Sequence, residues 1–402
     1  MILVEEAEKI ILAEVKDFGK ELIPFENSLN RILAEDLFTD RNLPPFNRAT
    51  LDGIAIQYAS FENGNYSFHI KATQAAGDAS IDINSADECI EIMTGAAVPD
   101  TTDTVIGYED IEIKNGIALI KNNSLKKGQG IHLKGTDKKE NEIIVKGNDV
   151  ITPVTISIAA SIGKTTLLVK KLPKVVIISS GDELVDVHDK PNPCQIRRSN
   201  SYIIAASLER YNLKADVLHI PDNPGVTKQN IGDCLQNYDV IILSGGISMG
   251  KFDYIPAALQ ELSVKKLFHK VRQRPGKPFW FGRHENDVVV FALPGNPVST
   301  YMCLNRYVIP WLKACMGLPF IKNKYAILNE DFSFTPSLQY FLQVKLNMEI
   351  NGTLTATPFE GNGSGDFSNL AEADAFMELP MERNNFTKGE VFAIWPFKEI
   401  LL

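Results

Sequence analysis

Apolar runs of strand length alternate with helical stretches between residues 174 and 315. The runs are KVVIIS (174–179), ADVLHI (215–220), DVIILS (239–244) and DVVVFAL (287–293). The helical stretches lie near residues 200–212, 227–236, 254–262 and 298–315. Continuous apolar strands that alternate with helices are typical of a parallel sheet covered by helices on both faces. The sequence therefore predicts a doubly wound α/β domain over residues 173–321.

Different patterns flank this region. Apolar residues at helical spacing from Val4 to Val15 predict an amphipathic helix, and Pro44 and Pro45 exclude helix and mark a domain boundary. Residues 1–44 plus 140–172 are assigned to an N-terminal helical and linker domain. The predicted small β domain at 45–139 contains an Asn-Gly hairpin signal at 115–116, and the C-terminal β domain at 322–402 contains one at 351–352. The expected protein is a multidomain, elongated subunit.

Composition excludes several classes of protein. A formal net charge of −9 disfavours nucleic-acid binding, and no stretch approaches the roughly 18 consecutive apolar residues of a membrane span. Acidic residues in the opening MILVEEAEKI do not fit a signal peptide, so a cytoplasmic location is expected. The 5 cysteines form no CxxC pair, and the 6 histidines form no HxxH or HExxH pattern, so neither disulfides nor zinc is expected.

Three of the predicted strands end in loops rich in Gly, Ser or Pro. The loops contain SGDEL, GGISMGKFD and PGNPVS. In a parallel sheet these loops share one edge, where backbone N–H groups and helix N-termini bind anions. The sequence predicts a ligand that carries phosphate or another oxyanion. A single such loop would more often be only a tight turn.

Acidic and basic residues accompany these loops. Glu183, Asp222 and Asp253 follow strands, and carboxylates beside a phosphate suit Mg²⁺, although a lone Asp at such a position could simply cap a helix. In QRPGKPFWFG, Arg274 and Lys277 flank a Pro-Gly turn and can neutralise an oxyanion. Without the neighbouring loops, a solvated basic turn with no ligand would be as good an interpretation of this segment as an anion-binding turn.

Eight segments taken in order resemble the signatures of the molybdopterin molybdenumtransferase family, which includes the E domain of gephyrin. They are PPFNRATLDG, IMTGAAVP, KGTD, SSGDEL, SGGISMGKFDY, RPGKPFWFG, LPGNPVS and GNGSGDFSNL. The resemblance implies a central molybdopterin-binding domain with flanking β-rich domains. It also implies an elongated homodimer whose pterin site lies between the sheet domain of one subunit and the β domain of the other.

The implied activity is Mg²⁺-dependent insertion of molybdate into adenylylated molybdopterin with release of AMP. The resemblance also allows transient contacts with molybdopterin adenylyltransferase and with apo-molybdoenzymes. The catalytic residues it implies are Glu183, Asp222, Asp253 and Lys277, and the first three are also the implied metal ligands. The implied substrate-binding residues are Asp52, Thr94, Asp137, Ser180, Gly181, Asn200, Ser244, Gly245, Gly246, Ser248, Arg274, Pro294, Gly295, Pro297 and Ser364.

Three departures and two rival functions accompany the resemblance. Arg198 stands where many relatives have Asp, Arg274 stands where many have Lys, and the glycine that usually follows the motif of Asp137 is absent. A scaffold or pterin carrier could use the same fold without chemistry. An adenylyltransferase would have a similar sheet domain but would not need the two outer β domains. The retained acidic residues and Lys277 favour the transferase.

Overall fold

A computed structural model describes residues 1–247, 254–318 and 324–398. Its centre is a six-stranded sheet, with strands in the spatial order Ala215–Ile220, Val175–Ser180, Val240–Ser244, Val289–Leu293, Trp280–Arg283 and Lys265–His269. The first four strands are parallel, as predicted. The last two run antiparallel to their neighbours. A short turn that includes Asp287 at φ +64° joins Trp280–Arg283 directly to Val289–Leu293, and such a short connection can only join antiparallel strands.

Helices cover both faces of this sheet, which confirms the doubly wound prediction. On the strand Val175–Ser180, Val175 and Ile177 belong to one core, and Val176 and Ile178 belong to the other. The first core includes the helix Asn200–Glu209 and a long helix built from Pro297–Cys303, the π-helical Leu304–Val308 and Ile309–Cys315. The second includes Pro224–Asn237 and Ile255–Glu261. A strand buried on both faces needs apolar residues throughout, because neither side contacts water.

The N-terminal helix is Val4–Ala13, and it packs against the central sheet domain. Val4, Ala7 and Ile11 are buried in the same core as Val175, which confirms the predicted amphipathic stripe. Val15 lies beyond the helix and is exposed. Across the described ranges, no helix has both the length and the apolar character needed to cross a membrane.

The other N-terminal elements combine two distant segments of the chain. Strand Lys20–Pro24 pairs with Thr166–Lys170, and Leu37–Phe38 pairs with Ile143–Val145. Helix Pro153–Ser161 packs with them, and Thr152 caps it by accepting a hydrogen bond from the backbone N–H of Thr155. This group also contains the 3₁₀ turn Phe25–Asn27.

The second sheet is the core of the small β domain. Its strands are, in spatial order, Thr104–Gly107, Gly53–Ile56, Glu88–Ile92, Ser67–Gln74, Ile117–Ile120 and Ile111–Lys114. Arg48–Ala49 pairs with Ile131–His132 beside it, and the short helices Tyr58–Glu62 and Tyr108–Asp110 lie in its connections. The predicted hairpin turn is confirmed, since Asn115 and Gly116 have φ angles of +51° and +77°.

The third sheet forms the C-terminal domain. Its strands are Gln273–Arg274, Gln339–Met348, Leu354–Pro358, Lys324–Leu328, Val391–Pro396 and Ala375–Leu379. Phe332–Ser333 pairs with Asn385–Phe386 beside it, and Ser368–Ala371 is a 3₁₀ turn. The predicted hairpin forms, but its turn is not the two-residue type. Gly352 has φ +82° and Asn351 does not reach positive φ, because the loop spans 349–353 and needs only one left-handed residue.

Candidate functional site

A cavity of about 740 Å³ lies between the carboxyl edge of the central sheet and the C-terminal sheet. From the central domain it is lined by Ser180, Glu183, Gly245, Gly246, Ile247, Gln273, Arg274, Pro275, Gly276, Lys277, Pro278, Pro294, Gly295, Asn296, Val298 and Ser299. From the C-terminal domain it is lined by Leu338, Tyr340, Phe341, Gln343, Glu360, Gly361, Asn362, Gly363 and Ser364. A domain interface of this kind is a common place for a ligand pocket.

The three Gly-, Ser- and Pro-rich loops meet at one wall of the cavity, because the parallel strands that precede them end at the same edge. Asn200 joins two of these loops. Its side-chain amide donates to Ser244 Oγ at 2.9 Å and to the carbonyl of Gly295 at 2.7 Å. Gly245 and Gly246 have φ angles of +98° and +66°, which side chains rarely adopt. A Cβ at Gly245 would lie 2.9 Å from the Ser180 carbonyl oxygen, and the Gly245 N–H donates to the Leu293 carbonyl at 3.2 Å, so glycine lets this loop pack closely against the ends of the neighbouring strands.

The predicted acidic residues of the central domain lie on neighbouring loops. Glu183 lines the cavity, whereas Asp222 lies just behind its wall. Asp222 Oδ1 accepts a hydrogen bond of 3.0 Å from Ser180 Oγ, and its backbone N–H donates to Asp182 Oδ1 at 3.0 Å. Gly181 stands where a Cβ would lie 2.5 Å from the Glu183 carboxylate. Glycine there leaves room for the carboxylate to fold back over the backbone.

The basic turn of Arg274 and Lys277 also lines the cavity. Both residues are exposed to the cavity, while Pro275 and Gly276 between them are buried. The Arg274 guanidinium lies 5.7 Å from the centre of the Phe334 ring, and Phe334 stacks on Tyr340 at 4.1 Å. The C-terminal domain thus holds the Arg274 side chain through the aromatic ring of Phe334. The turn can present two cations to an oxyanion.

The C-terminal loop that contains GNGSGDFS closes the cavity. Ser364 Oγ accepts a hydrogen bond of 2.8 Å from the Asn296 side chain, and the Ser364 carbonyl accepts one of 3.2 Å from the Val298 N–H. Within the loop, Asp366 accepts from Ser368 Oγ and from the Asn362 N–H, and these bonds lower the pKa of Asp366. The loop is therefore ordered by its own side chains and is tied to the PGNPVS segment.

Three predicted residues of the small β domain do not line this cavity. Asp52 Oδ1 accepts a hydrogen bond of 2.7 Å from the Thr94 N–H, so the structure brings these two together. Hydrogen bonds from the Thr94 backbone and side chain lower the pKa of Asp52, which keeps this exposed carboxylate charged. Asp137 instead contacts His132, with 2.8 Å between Oδ1 and Nε2. Whether the three face a site in a second subunit stays a prediction.

Two more predicted residues, Ser248 and Asp253, lie outside the described residues. Pro297 is the first residue of the helix Pro297–Cys303 and adjoins the cavity through Val298. No group of three or more His, Cys, Asp or Glu side chains in residues 1–247, 254–318 and 324–398 is arranged to hold a metal ion. The predicted metal set, which includes Asp253, therefore stays a prediction.

The cavity also includes residues that the sequence reading missed. Asn296 lies inside the PGNPVS segment, and its side-chain amide donates a hydrogen bond to Ser364. That motif is the sequence signal from which Asn296 could have been predicted as a site residue. Tyr340, Gln343 and Glu360 carry no local signal, since they reach the cavity only because the C-terminal domain docks there. Tyr340 OH lies 3.3 Å from Glu360 Oε1, and burial together with Glu360 raises the pKa of Tyr340 to about 12. The phenol therefore stays a hydrogen-bond donor at neutral pH.

Comparisons with known proteins match nearly all of the chain. Residues 2–163 match the MoeA N-terminal region (domain I and II), residues 176–314 match a probable molybdopterin binding domain, and residues 325–397 match the MoeA C-terminal region (domain IV). A molybdopterin molybdenumtransferase of Synechocystis is 36% identical over 98% of this chain and 100% of its own length. A protein of the same name from Staphylococcus aureus is 31% identical over 98% and 95% of the two chains.

Solved structures show the same relationship. The crystal structure of a molybdopterin biosynthesis MoeA protein from Pyrococcus horikosii superposes with a TM-score of 0.84 at 28% identity and covers 99% of both chains. The similarity thus extends across all the domains described above.

Proposed function

The chain belongs to the molybdopterin molybdenumtransferase family, and we propose that it inserts molybdate into adenylylated molybdopterin and releases AMP. This reaction is a step of molybdenum cofactor biosynthesis, the process in which the family acts. The observation that carries the proposal is a single cavity that is lined by Arg274 and Lys277, by the Gly-rich loops and by Glu183. Such a cavity offers an oxyanion two cations.

The residues divide into groups by the part of the substrate that each group suits. The loop of Gly245 and Gly246, at the carboxyl edge of the sheet, would lie against the phosphates of the adenylylated pterin. Lys277 and Arg274 would bind molybdate, and Ser364 would donate a hydrogen bond to the same anion. Catalysis would then consist of positioning and charge neutralisation, while the dithiolene takes up molybdenum and the pyrophosphate bridge is cleaved to AMP.

The carboxylates near this cavity support a bound magnesium ion. Glu183 is on the cavity wall and Asp222 lies behind it on an adjoining loop, and hard oxygen ligands are those that Mg²⁺ prefers. We propose that these two residues, together with Asp253, hold the ion. When bound, Mg²⁺ would neutralise charge on the phosphates. A reaction on soluble substrates is also consistent with the proposed cytoplasmic location.

The proposal is tested by incubating the protein with adenylylated molybdopterin and Mg²⁺, with and without molybdate. AMP release and reconstitution of an apo-molybdoenzyme are followed together, because the first reports cleavage and the second reports insertion. Molybdate-dependent AMP release with reconstitution is the expected result. Tight pterin binding without turnover would support a carrier instead. The absence of both binding and turnover would overturn the proposal.

Substitution of the proposed metal ligands should change the magnesium requirement. We expect Glu183→Gln to raise the Mg²⁺ concentration for half-maximal AMP release by at least roughly tenfold, because an amide is a much weaker ligand than a carboxylate. Asp253→Ala should also raise the Mg²⁺ concentration for half-maximal AMP release. The measurement is a Mg²⁺ titration of protein first treated with a chelator. The control Glu285→Gln removes an exposed carboxylate that does not line the cavity. Equal Mg²⁺ curves for wild type and Glu183→Gln would contradict the assignment.

The proposed homodimer makes a separate prediction. If the site uses Asp52 of one subunit and Lys277 of the other, Asp52→Ala and Lys277→Ala homodimers should each be impaired. Mixed dimers made by co-expression should regain about a quarter of wild-type activity, since half of the dimers then contain one intact site of two. The measurement is AMP release by the mixed population, together with its molar mass in solution. A mixed population that is no more active than its parents would exclude a site shared in this way.

A further inference from the structure

The basic turn of the cavity rests on a buried polar contact that the proposed chemistry does not use directly. Gln273, immediately before the turn, is completely buried. Its side-chain amide donates a hydrogen bond of 3.1 Å to the carbonyl of Gly276, and its side-chain oxygen accepts a hydrogen bond from Tyr307 OH. Tyr307 is also buried, with 2% of its surface exposed. The two side chains therefore connect the turn to the long helix beneath it.

A glutamine in this position needs an explanation, because a buried amide is unfavourable unless its hydrogen-bonding groups are satisfied. The surroundings are apolar, since Tyr307 and Cys303 belong to the largest buried core of the central domain. In this setting Gln273 is satisfied by the turn on one side and by Tyr307 on the other. Loss of either partner would leave a buried polar atom unpaired.

The turn also packs tightly onto these side chains. Gly276 has φ +88°, and a Cβ there would lie 2.7 Å from Cys303 Sγ and 2.8 Å from Gln273 Nε2. The turn and the helix are therefore in direct contact, with no room for a side chain between them. Any shift of Gln273 is transmitted to the Gly276 backbone, which immediately precedes Lys277.

Tyr307 contacts the turn from its other end as well. Its ring lies 5.0 Å from the ring of Phe279, two residues after Lys277. Tyr307 belongs to the π-helical segment Leu304–Val308, a geometry that is rare and often found at functional sites. The segment before the turn is fixed separately, because Gln273 and Arg274 pair with residues 339 and 340 of the C-terminal sheet. Tyr307 and Gln273 therefore act mainly on the Gly276 and Lys277 end.

We infer that Gln273 and Tyr307 are positioning residues that hold Lys277 in place for the anion. They would act through the turn and would not touch the substrate. The identity of the anion as molybdate rests on the proposed function, whereas the mechanical link from Tyr307 to the turn does not.

The first test measures the link without any activity. Hydrogen exchange followed by mass spectrometry is compared for wild type, Tyr307→Phe and the control Tyr58→Phe, whose lost hydroxyl donates to Leu125 O at 3.2 Å in the small β domain. We expect amides within 271–279 to exchange about fivefold faster or more in Tyr307→Phe, and not in the control. Unchanged exchange in this segment would overturn the inference. Gln273→Met, which removes both hydrogen bonds, provides a second variant if Tyr307→Phe folds poorly.

The second test separates positioning from general stability. Tyr307→Phe should raise the molybdate concentration for half-maximal AMP release about tenfold and leave the maximal rate within about twofold, because only anion placement is affected. A positioning role would be overturned if the maximal rate fell in proportion to the rise in the half-maximal molybdate concentration. It would also be overturned if neither parameter changed while the wild type was active. If wild type itself releases no AMP in response to molybdate, the proposed function fails, and the hydrogen exchange result alone decides the mechanical link.

Discussion

Replacement of Lys277 by alanine should raise the molybdate concentration for half-maximal AMP release by about 10- to 100-fold, since a hydrogen bond to a charged group contributes roughly 1.5–3 kcal/mol. Within the part of the chain that the structure describes, Lys277 and Arg274 are the cationic residues that line the cavity. Removal of one therefore leaves a single cation in a cavity that is also lined by the carboxylates of Glu183 and Glu360. The measurement is a molybdate titration of AMP release at fixed Mg²⁺ and fixed pterin.

Two controls make this result interpretable. Lys266→Ala removes an exposed lysine from the edge strand Lys265–His269, outside the cavity, and should leave the titration unchanged. Lys277→Arg keeps the positive charge and should recover part of the affinity, although the planar guanidinium differs in shape from an ammonium group. The thermal midpoint of all three variants should stay close to that of wild type, because both lysines are exposed. A large loss of stability in Lys277→Ala would show that this residue is structural.

The central fold could be predicted because its physical signal is local. Strands such as Val175–Ser180 are apolar at every position except their carboxyl ends, and this pattern is typical of a sheet that is covered on both faces. The antiparallel edge was not predicted. The strand Lys265–His269 contains two lysines and one histidine, so its sequence lacks the apolar pattern of the inner strands. Its place is decided by pairing with Trp280–Arg283, which no local pattern encodes.

The candidate site also has one part that could be predicted from the sequence and one part that could not. Ser180, Gly245 and Pro294 could be placed near one another because parallel strands bring their carboxyl ends to a single edge. Tyr340 and Glu360 could not, since their position depends on how the C-terminal sheet docks, and that docking is governed by contacts between residues far apart in the chain. Sequence reasoning therefore finds the wall built by one sheet and misses the wall supplied by another domain.

A buried ion-pair cluster is the contact with the largest expected effect on stability. Arg306, with 4% of its side chain exposed, forms ion pairs with Glu8 of the N-terminal helix and with Glu378 of the C-terminal sheet. Its guanidinium lies 4.4 Å from the centre of a Trp395 ring, and Trp395 donates a hydrogen bond of 2.7 Å to Glu378. Burial by itself would lower the pKa of Arg306, but Glu378 and Glu8 are among the groups that raise it above its ordinary value. Three parts of the chain thus meet at one cation.

We expect Arg306→Ala to lower the free energy of unfolding by about 3–5 kcal/mol, because it leaves the largely buried carboxylate of Glu378 and the partly buried one of Glu8 without their cation. The matched control is Arg283→Ala, which breaks the exposed ion pairs of Arg283 with Glu14 and Asp287 and should cost about 0–1 kcal/mol. Both are measured by urea unfolding. Tryptophan fluorescence follows the central and C-terminal domains together, because Trp280, Trp311 and Trp395 all contribute to it, and circular dichroism follows the whole chain, since a multidomain protein need not unfold in one step. Equal costs for the two substitutions would show that burial adds nothing to the Arg306 cluster.

A third variant shows whether the loss comes from the uncompensated carboxylates or from the missing contacts. Arg306→Met combined with Glu8→Gln and Glu378→Gln removes every charge of the cluster and keeps most of its volume. If desolvated charge is the cause, this variant should recover most of the stability that Arg306→Ala loses, because replacement of a buried ion pair by uncharged groups is often close to neutral. If it stays as unstable as Arg306→Ala, the cation–π contact and the fit of the guanidinium between the domains carry the stability. In that case the C-terminal sheet, which supplies the second wall of the cavity, depends on Arg306 for its placement, and AMP release should fall in parallel with stability.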